Sequence, residues 1–582
     1  MLLLLLVVLL VGTVANRAEA MPGFYIGKNA QKRLAHSAHI VVMRKGDLSA
    51  VTLMPDYQGP LEPFALVMPV PADVTLERVA PLKREFMDRV EKITAPRFHE
   101  WWEKDPCEPG KAEQEWERSM SAGGDTAFLG GGPQFGTPTR KVDKELFLDV
   151  KAKTKDAAEY GFTLIAPGQD VGAALRDKGY VVPPNALAAL KPYVDQGMNI
   201  LLAEIDPNRI ELIGGDRAIL SPLRYWSDKP VEKLPVTLGL LSSPGMQELF
   251  VYVIHPDRRY NAKNYENIFP PTNVKVDYVV KERMGEFYAA IHDKILAQHP
   301  RSFLNEFAWS TKGCGQPCAT EPLMIHELLS LGGDAFETFV PEEERNPVPP
   351  EPTEEEKKAF EATLEPTDLE GKKIILTAKD KRERKKTWEE ERKTVAARKA
   401  LVDRHYYVIS RIHHRYDAKM LPTDLEIAPT NHVQGGIGRP KGPDGELPQN
   451  VAPASESTLQ VRYTSFHPDI SVLKCDQPQR WRWGRSPRHV RILRKTWVAE
   501  DMARRNRTQI KPEDVVRTPI PSLKLSGKAP PSPEAGADGG AGAAGAEKKG
   551  CGCRVARRSD PSALGWAGAL ALTALVRRRR RR

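Results

Sequence analysis

Cys314-Gly-Gln-Pro-Cys318 is the local pattern of this sequence that holds the most chemistry. A step of this kind, carrying Gly and Pro, brings two sulfurs within bonding reach or aims both at other partners. Three uses compete: a structural disulfide, a redox pair, and a metal or iron–sulfur site. Redox pairs ordinarily use a two-residue spacer. A cluster needs a further cysteine at position 321, which is Glu. A structural disulfide is therefore the expectation. Cys107 and Cys475 are the other body cysteines, and four cysteines allow three pairings that spacing does not choose among.

Other chemistry-bearing clusters are incomplete. His326-Glu327 opens like a zinc-protease helix, but position 330, where the second histidine belongs, is Ser. A surface helix start is the better reading. His405, His413 and His414 gather near Arg411 and Arg415. In a strand, His413 and His414 point to opposite faces and do not share one ion. No Gly-x-Ser-x-Gly elbow occurs, and no cofactor fingerprint is complete. No catalytic set and no metal set is therefore assigned. Trp101-Trp102 and Trp481-Arg482-Trp483 are candidate aromatic platforms. Trp481 and Trp483 share a strand face by the period of two, with Arg480, Arg482 and Arg485 nearby. An envelope polymer, if one binds, belongs there.

The elements that must position these residues are mixed. Ile40–Met43 and Val51–Met54 around Lys45-Gly46-Asp47 predict a hairpin, and "PFALVMPVP" a third strand. Residues 82–104 have helical spacing, with Phe86, Val90 and Ile93 on one stripe and Pro96 expected to kink or end the helix. A glycine-rich loop is expected over 105–140, then strands at 146–150 and 160–165, two short helices and the strand "NILLAEID". Strands near 236–241 and 248–254, a helix over 285–298 and a strand near 406–412 follow. The section from "LQVRYTSFHPDISVLKC" onward reads as strands with a basic rim. This order predicts an α+β fold with a largely antiparallel sheet and packed helices.

Charge and the two ends set the rest. The chain has 582 residues and a net charge of +10. Residues 551–582 hold nine arginines and one aspartate, so 1–550 carry only +2 of that charge. The basicity belongs to a tail, which argues against a nucleic-acid partner. Residues 342–370 carry eleven acids against three bases, and 371–400 twelve bases against five acids. Such blocks pair as a charged helical hairpin or stay extended. Leu2 to Gly12 is an apolar run of signal-peptide length before Ala18-Glu19-Ala20, a pattern signal peptidase cleaves. An exported chain meets oxidising surroundings, which favour disulfides. Residues 526–550 are an Ala/Gly/Pro linker expected to be a disordered tether. Residues 561–576 are apolar and uncharged, enough for a helix of roughly 24 Å, ahead of six terminal arginines. That predicts a marginal transmembrane helix with its arginines on the cytoplasmic side.

The Gly-Cys pair at Gly550-Cys551, the second cysteine Cys553, the apolar segment and the Arg cluster together resemble the MYXO-CTERM sorting signal. The resemblance implies a temporary membrane stop, cleavage by a sorting protease, and processing or lipidation at Cys551 or Cys553. The body resembles domain of unknown function 2330. The stretches that carry this include "YQGPLEPFALVMPVP", "EYGFTLIAPGQDVGAALRDKGYVVPPNALAALKPYVDQGMNILLAEID", "NEFAWSTKGCGQPC" and "YYVISRIHHRYDAKMLPTDLEI", spanning about Met21 to Ala428. That family has no assigned activity, so the resemblance implies fold kinship and not chemistry. The expected organisation is a signal peptide at 1–20, a body at 21–340, a charged insertion at 341–400, a β-rich continuation at 401–525, the linker, and the sorting signal at 551–582. The expected role is an exported, surface-anchored binding or structural module. An extracytoplasmic hydrolase acting on envelope polymers is the alternative.

Overall fold

A computed structural model of the chain describes residues 21–107, 159–210, 212–214, 217–243, 245–312, 322–333, 348–365, 375–470 and 472–484. The expected loop over 105–140 falls outside these residues beyond 107, as do the strand at 146–150, Cys314 and Cys318, the linker, and the whole tail with Cys551 and Cys553.

The chain opens with β1 (Phe24–Gly27), β2 (Ser37–Lys45), β3 (Leu48–Gln58) and β4 (Phe64–Val70). The β2–β3 hairpin turns at Gly46, whose φ of +58° suits glycine. Both faces of β2 are covered. Ile40 and Val42 enter one core, and Val41 and Met43 another. A strand buried on both faces reads as a continuous apolar run, as "HIVVM" does.

Helix α1 (Arg84–Thr94) buries Phe86, Met87, Val90 and Ile93. It stops one residue short of Pro96, because proline disfavours the helical conformation in the residue before it. β5 (Arg97–Glu103) follows at once and carries Trp101 and Trp102. Then come β6 (Tyr160–Ile165), α2 (Val171–Asp177), α3 (Pro184–Asp195) and β7 (Asn199–Ile205). β1, β4, β7 and β6 pair in that order as an antiparallel sheet. Leu175, Ala186 and Leu190 of the two helices pack on its Phe24, Val67 and Leu202 face.

The main sheet is built around β8 (Gln247–His255), β9 (Ser302–Ser310), β10 (Val408–Tyr416) and β11 (Thr458–Gln460). Its central order is β11-β9-β10-β8-β2-β3. All these pairs are antiparallel except β8 with β2. Helix α4 (Met284–Gln298) lies against it through Phe287, Ile291 and Ile295, which share a core with Leu304 of β9. β12 (Arg462–His467) runs parallel to β5, and β13 (Trp483–Gly484) pairs with the end of β5. The α+β class with largely antiparallel sheets is thus the observed one.

The charged insertion forms helices. α5 (Glu354–Thr363) begins with a capping box, Thr353 Oγ1 accepting from Glu356 N at 3.2 Å and Glu356 accepting from Thr353 N at 3.0 Å. α6 (Ala378–Asp403) follows, and Trp388 stacks on Phe360 with ring centres 4.5 Å apart. The insertion leaves from β9 and returns to β10, which are direct neighbours in the main sheet.

Three local expectations are corrected. Val236 to Leu241 is not a strand but a turn of 3-10 helix, Val236–Ser242. Gly239 packs on the Met21 backbone, where an added Cβ would meet the carbonyl oxygen at 2.2 Å. Thr237 N and Oγ1 both donate to Asp424 Oδ1. These tertiary contacts override a strand propensity that is always weak. The start at His326-Glu327 is not a surface feature throughout: His326 is exposed, but Glu327 is buried against Arg89, at 3.1 Å. Ile470 and Val472 are exposed and lie outside any strand.

Candidate functional site

A buried polar cluster of the main sheet lies where α4 crosses β9 and β10. Its centre is Glu306, whose side chain is wholly out of solvent. Glu306 sits in a β-bulge: Asn305 faces Ile412 and Phe307 faces Arg411, so Glu306 is the extra residue. A bulge breaks strict alternation. Glu306 and Phe307, consecutive in sequence, therefore both serve the same face. Phe307 joins the Tyr252 and Ile409 core, while Glu306 meets the side chains of β10.

Every carboxylate bond of Glu306 is to a side chain. Oε2 accepts from Arg411 Nε at 2.6 Å. Oε1 bonds His413 Nδ1 at 2.7 Å and accepts from Tyr288 of α4 at 2.6 Å. Burial by itself would raise the Glu306 carboxyl. The facing His413 and Arg411, with the hydrogen bonds of His413 and Tyr288, outweigh it and hold the group down to about 2. Arg411 also lies over the Phe250 and Tyr252 rings, at 4.8 and 5.6 Å.

His292, one turn beyond Tyr288 on α4, completes the cluster. Its ring centre is 4.2 Å from that of His413, and His413 stacks on Phe250 at 4.0 Å. His292 is 1% exposed and His413 is 4% exposed. Neither ring nitrogen of His292 has a hydrogen-bond partner, nor has His413 Nε2. Burial, and then nearby His413, Arg415, His414 and Arg411, keep His292 well below the ordinary imidazole range. One ligand atom each from His292, Glu306 and His413 lies within 4.8 Å of the others. The set can hold a small ion. With all its members buried it does not face a polymer.

His414 points the other way, beside Phe303 at 4.8 Å, in keeping with the period of two. His405 lies two residues beyond the end of α6, its N–H donating to Ala400 O. Sequence reasoning singled out His413 and Arg411 but missed His292 and Glu306. A signal existed for Glu306: it is the lone acid within the otherwise uncharged strand "SFLNEFAWS". His292 carries none, since a histidine in an amphipathic helix is ordinary.

The second place of interest is the end of β5. Glu103 also has a side chain wholly out of solvent. It accepts from Arg480 Nη2 at 3.0 Å, from Trp481 N at 2.7 Å and from Asp469 N at 2.9 Å. Lys104 N donates to Arg482 O at 2.7 Å, and Cys107 is disulfide-bonded to Cys475, their Cα atoms 5.5 Å apart. The structure brings Trp481 and Trp483 together, ring centres 6.4 Å apart. They do so through a positive φ of 64° at Trp481 and not as neighbours on one strand. Arg480 covers Trp481 at 4.7 Å, and Trp483 Nε1 donates to Gly442 O. Trp101 and Trp102 are buried, Trp102 stacked on His467 at 4.0 Å.

An α+β body with a buried Glu–His–Arg cluster thus defines the class. Residues 16–428 match the bacterial family described as "Uncharacterized protein conserved in bacteria (DUF2330)", and the chain belongs to that family. The cluster lies inside the matched region, as do β1 to β10. No curated protein matches the chain. Among solved structures, the crystal structure of baculovirus P35 is similar at 8% identity, over 41% of this chain and 68% of that one, with a TM-score of 0.20. A likeness of that size carries no argument here.

Proposed function

We propose that the chain is exported and held at the cell envelope, where it serves as a binding or structural module. The observation that carries this is the Cys107–Cys475 disulfide, which ties segments 368 residues apart. Bonds of this kind persist in oxidising compartments and are rare in the cytosol. The apolar run at 2–12 and the apolar, arginine-capped segment at 561–582 support the same reading. Among the described residues no helix is long and apolar enough to cross a membrane. The anchor is assigned to residues 561–576, which lie outside them, with processing or lipidation at Cys551 or Cys553.

The binding face is the paired Trp481 and Trp483 with Arg480 and Arg482 beside them, and the partner is an envelope polymer that offers apolar faces and negative charge. Fractionation tests the location. The full chain is expected in the envelope, and a chain lacking 551–582 in the medium or periplasm. A full-length, unprocessed product in the cytoplasm would overturn the proposal. Cosedimentation with purified envelope polymer tests the face: Trp481→Ala with Trp483→Ala is expected to lose at least about ten-fold in affinity, or about 1.4 kcal/mol. Unchanged binding would remove the face from the proposal.

A further inference from the structure

We propose that His292, Glu306 and His413 form a binding site for one divalent transition-metal ion, zinc by its ligand set, tying α4 to β9 and β10. The geometry begins with atoms that have nothing to bond. Three imidazole nitrogens, both of His292 and Nε2 of His413, are buried without partners. An unmet buried polar atom costs about 1–3 kcal/mol, and an ion would meet one nitrogen of His292.

Two imidazoles and a carboxylate make a borderline-soft nitrogen and oxygen set. It suits zinc and its transition-metal neighbours, whereas calcium and magnesium require more oxygens than are present. The ligand atoms lie within 4.8 Å of one another. Two ligands on one tetrahedral zinc stand about 3.3 Å apart. Small side-chain adjustments therefore close the site, with no movement of the strands.

The surrounding bonds fit the same role. His413 Nδ1 lies 2.7 Å from Glu306 Oε1, so an ion seated at this edge takes both atoms in place of that hydrogen bond. Arg411 holds the other oxygen of Glu306 and fixes the carboxylate. Arg411 Nη1 is also unpartnered, which raises the case of a small anion. An anion would take Arg411 Nη1 and an N–H of a neutral imidazole, and it would leave added Co2+ unbound. A buried water is the remaining alternative, since it too answers unmet nitrogens.

The test uses the untagged full chain, stripped with chelator and titrated with Co2+ and then Zn2+. One equivalent of Co2+ with visible d–d absorption, displaced by Zn2+, is the expected result, together with a higher Tm in the metal-loaded protein. His292→Phe fills the same space with an apolar ring and should fold without metal, and at least a ten-fold loss of affinity is expected in it. Glu103→Gln should keep the full equivalent. Absence of bound Co2+ in the wild type overturns the site and leaves water or an anion as the occupant. An affinity unchanged in His292→Phe overturns it as well.

Discussion

Glu306 and Glu103 are two carboxylates removed entirely from water, each beside an arginine. Their surroundings differ. Glu103 is met by two backbone N–H groups and by Arg480, which is 28% exposed on its side chain. Its bonds fasten the 469–484 segment back onto β5, next to the disulfide. Glu306 is met only by side chains, from two elements, and its arginine is 5% exposed. Around it three imidazole nitrogens remain without partners. A buried charge alone does not mark a site, because a fold uses such charges as clamps. What marks a site is polar capacity left over after the clamp is complete.

The largest expected effect breaks the Glu306 side of the comparison. Glu306→Gln leaves Arg411 buried without its counter-charge, and a loss of about 3–5 kcal/mol is expected in urea denaturation. A loss below 1 kcal/mol would make Glu306 no different from a surface acid. Next is the bond beside Glu103: Cys107→Ser should cost about 2–5 kcal/mol, read as a lower denaturation midpoint under non-reducing conditions. Glu103→Gln keeps an acceptor for one of the two backbone N–H groups, which bond different oxygens, turns an amide NH2 toward the other, and leaves Arg480 able to reach water. About 1–2 kcal/mol is expected, with faster amide exchange confined to 469–484. If Glu103→Gln proves as costly as Glu306→Gln, the contrast between clamp and site fails.

Glu100, also on β5, gives a smaller, pH-dependent effect. Burial alone would raise its carboxyl, but the hydrogen bonds of His467 and Lys281 and their charges lower it below 4.5. A depressed folded value means that the unfolded state binds the proton more readily as acid is added. The contribution is therefore whole above pH 4.5 and fades as pH falls through the lower folded value. The Tm difference between wild type and Glu100→Gln should shrink over that window, and a difference constant down to pH 2 would contradict it. Smallest of all is Trp388→Ala in the charged hairpin. It removes the stacking on Phe360 but should leave the body's midpoint within about 0.5 kcal/mol.

Much of the fold was legible from local signals. The β2–β3 hairpin followed from two apolar runs around Gly46, whereas Pro96 left a kink or a stop of α1 open and the strand after it was read as helix. The insertion's sign-segregated charges left a helical pair and an extended segment both open, and helices are what the structure has. The 236–241 segment was misread because its conformation is set by Met21 and Asp424, which are remote in sequence. The candidate site was half legible. His413 and His414 were correctly placed on opposite faces, but the partners of His413 come from α4 and a bulge in β9. A bulge has no sequence signature, and one histidine in a helix looks like any other. Cysteine pairing was open for the same reason: three pairings are equivalent until the end of β5 is seen beside the 469–484 segment.

The central claim, that this chain matures and works outside the cytoplasm, is most directly tested by peptide mapping of the native protein under non-reducing conditions after thiol blocking. The account predicts a single cross-linked species joining the peptides of Cys107 and Cys475, on a chain that has lost its first 20 or so residues. Both cysteines recovered as blocked free thiols, on a chain that still begins at Met1, would contradict it.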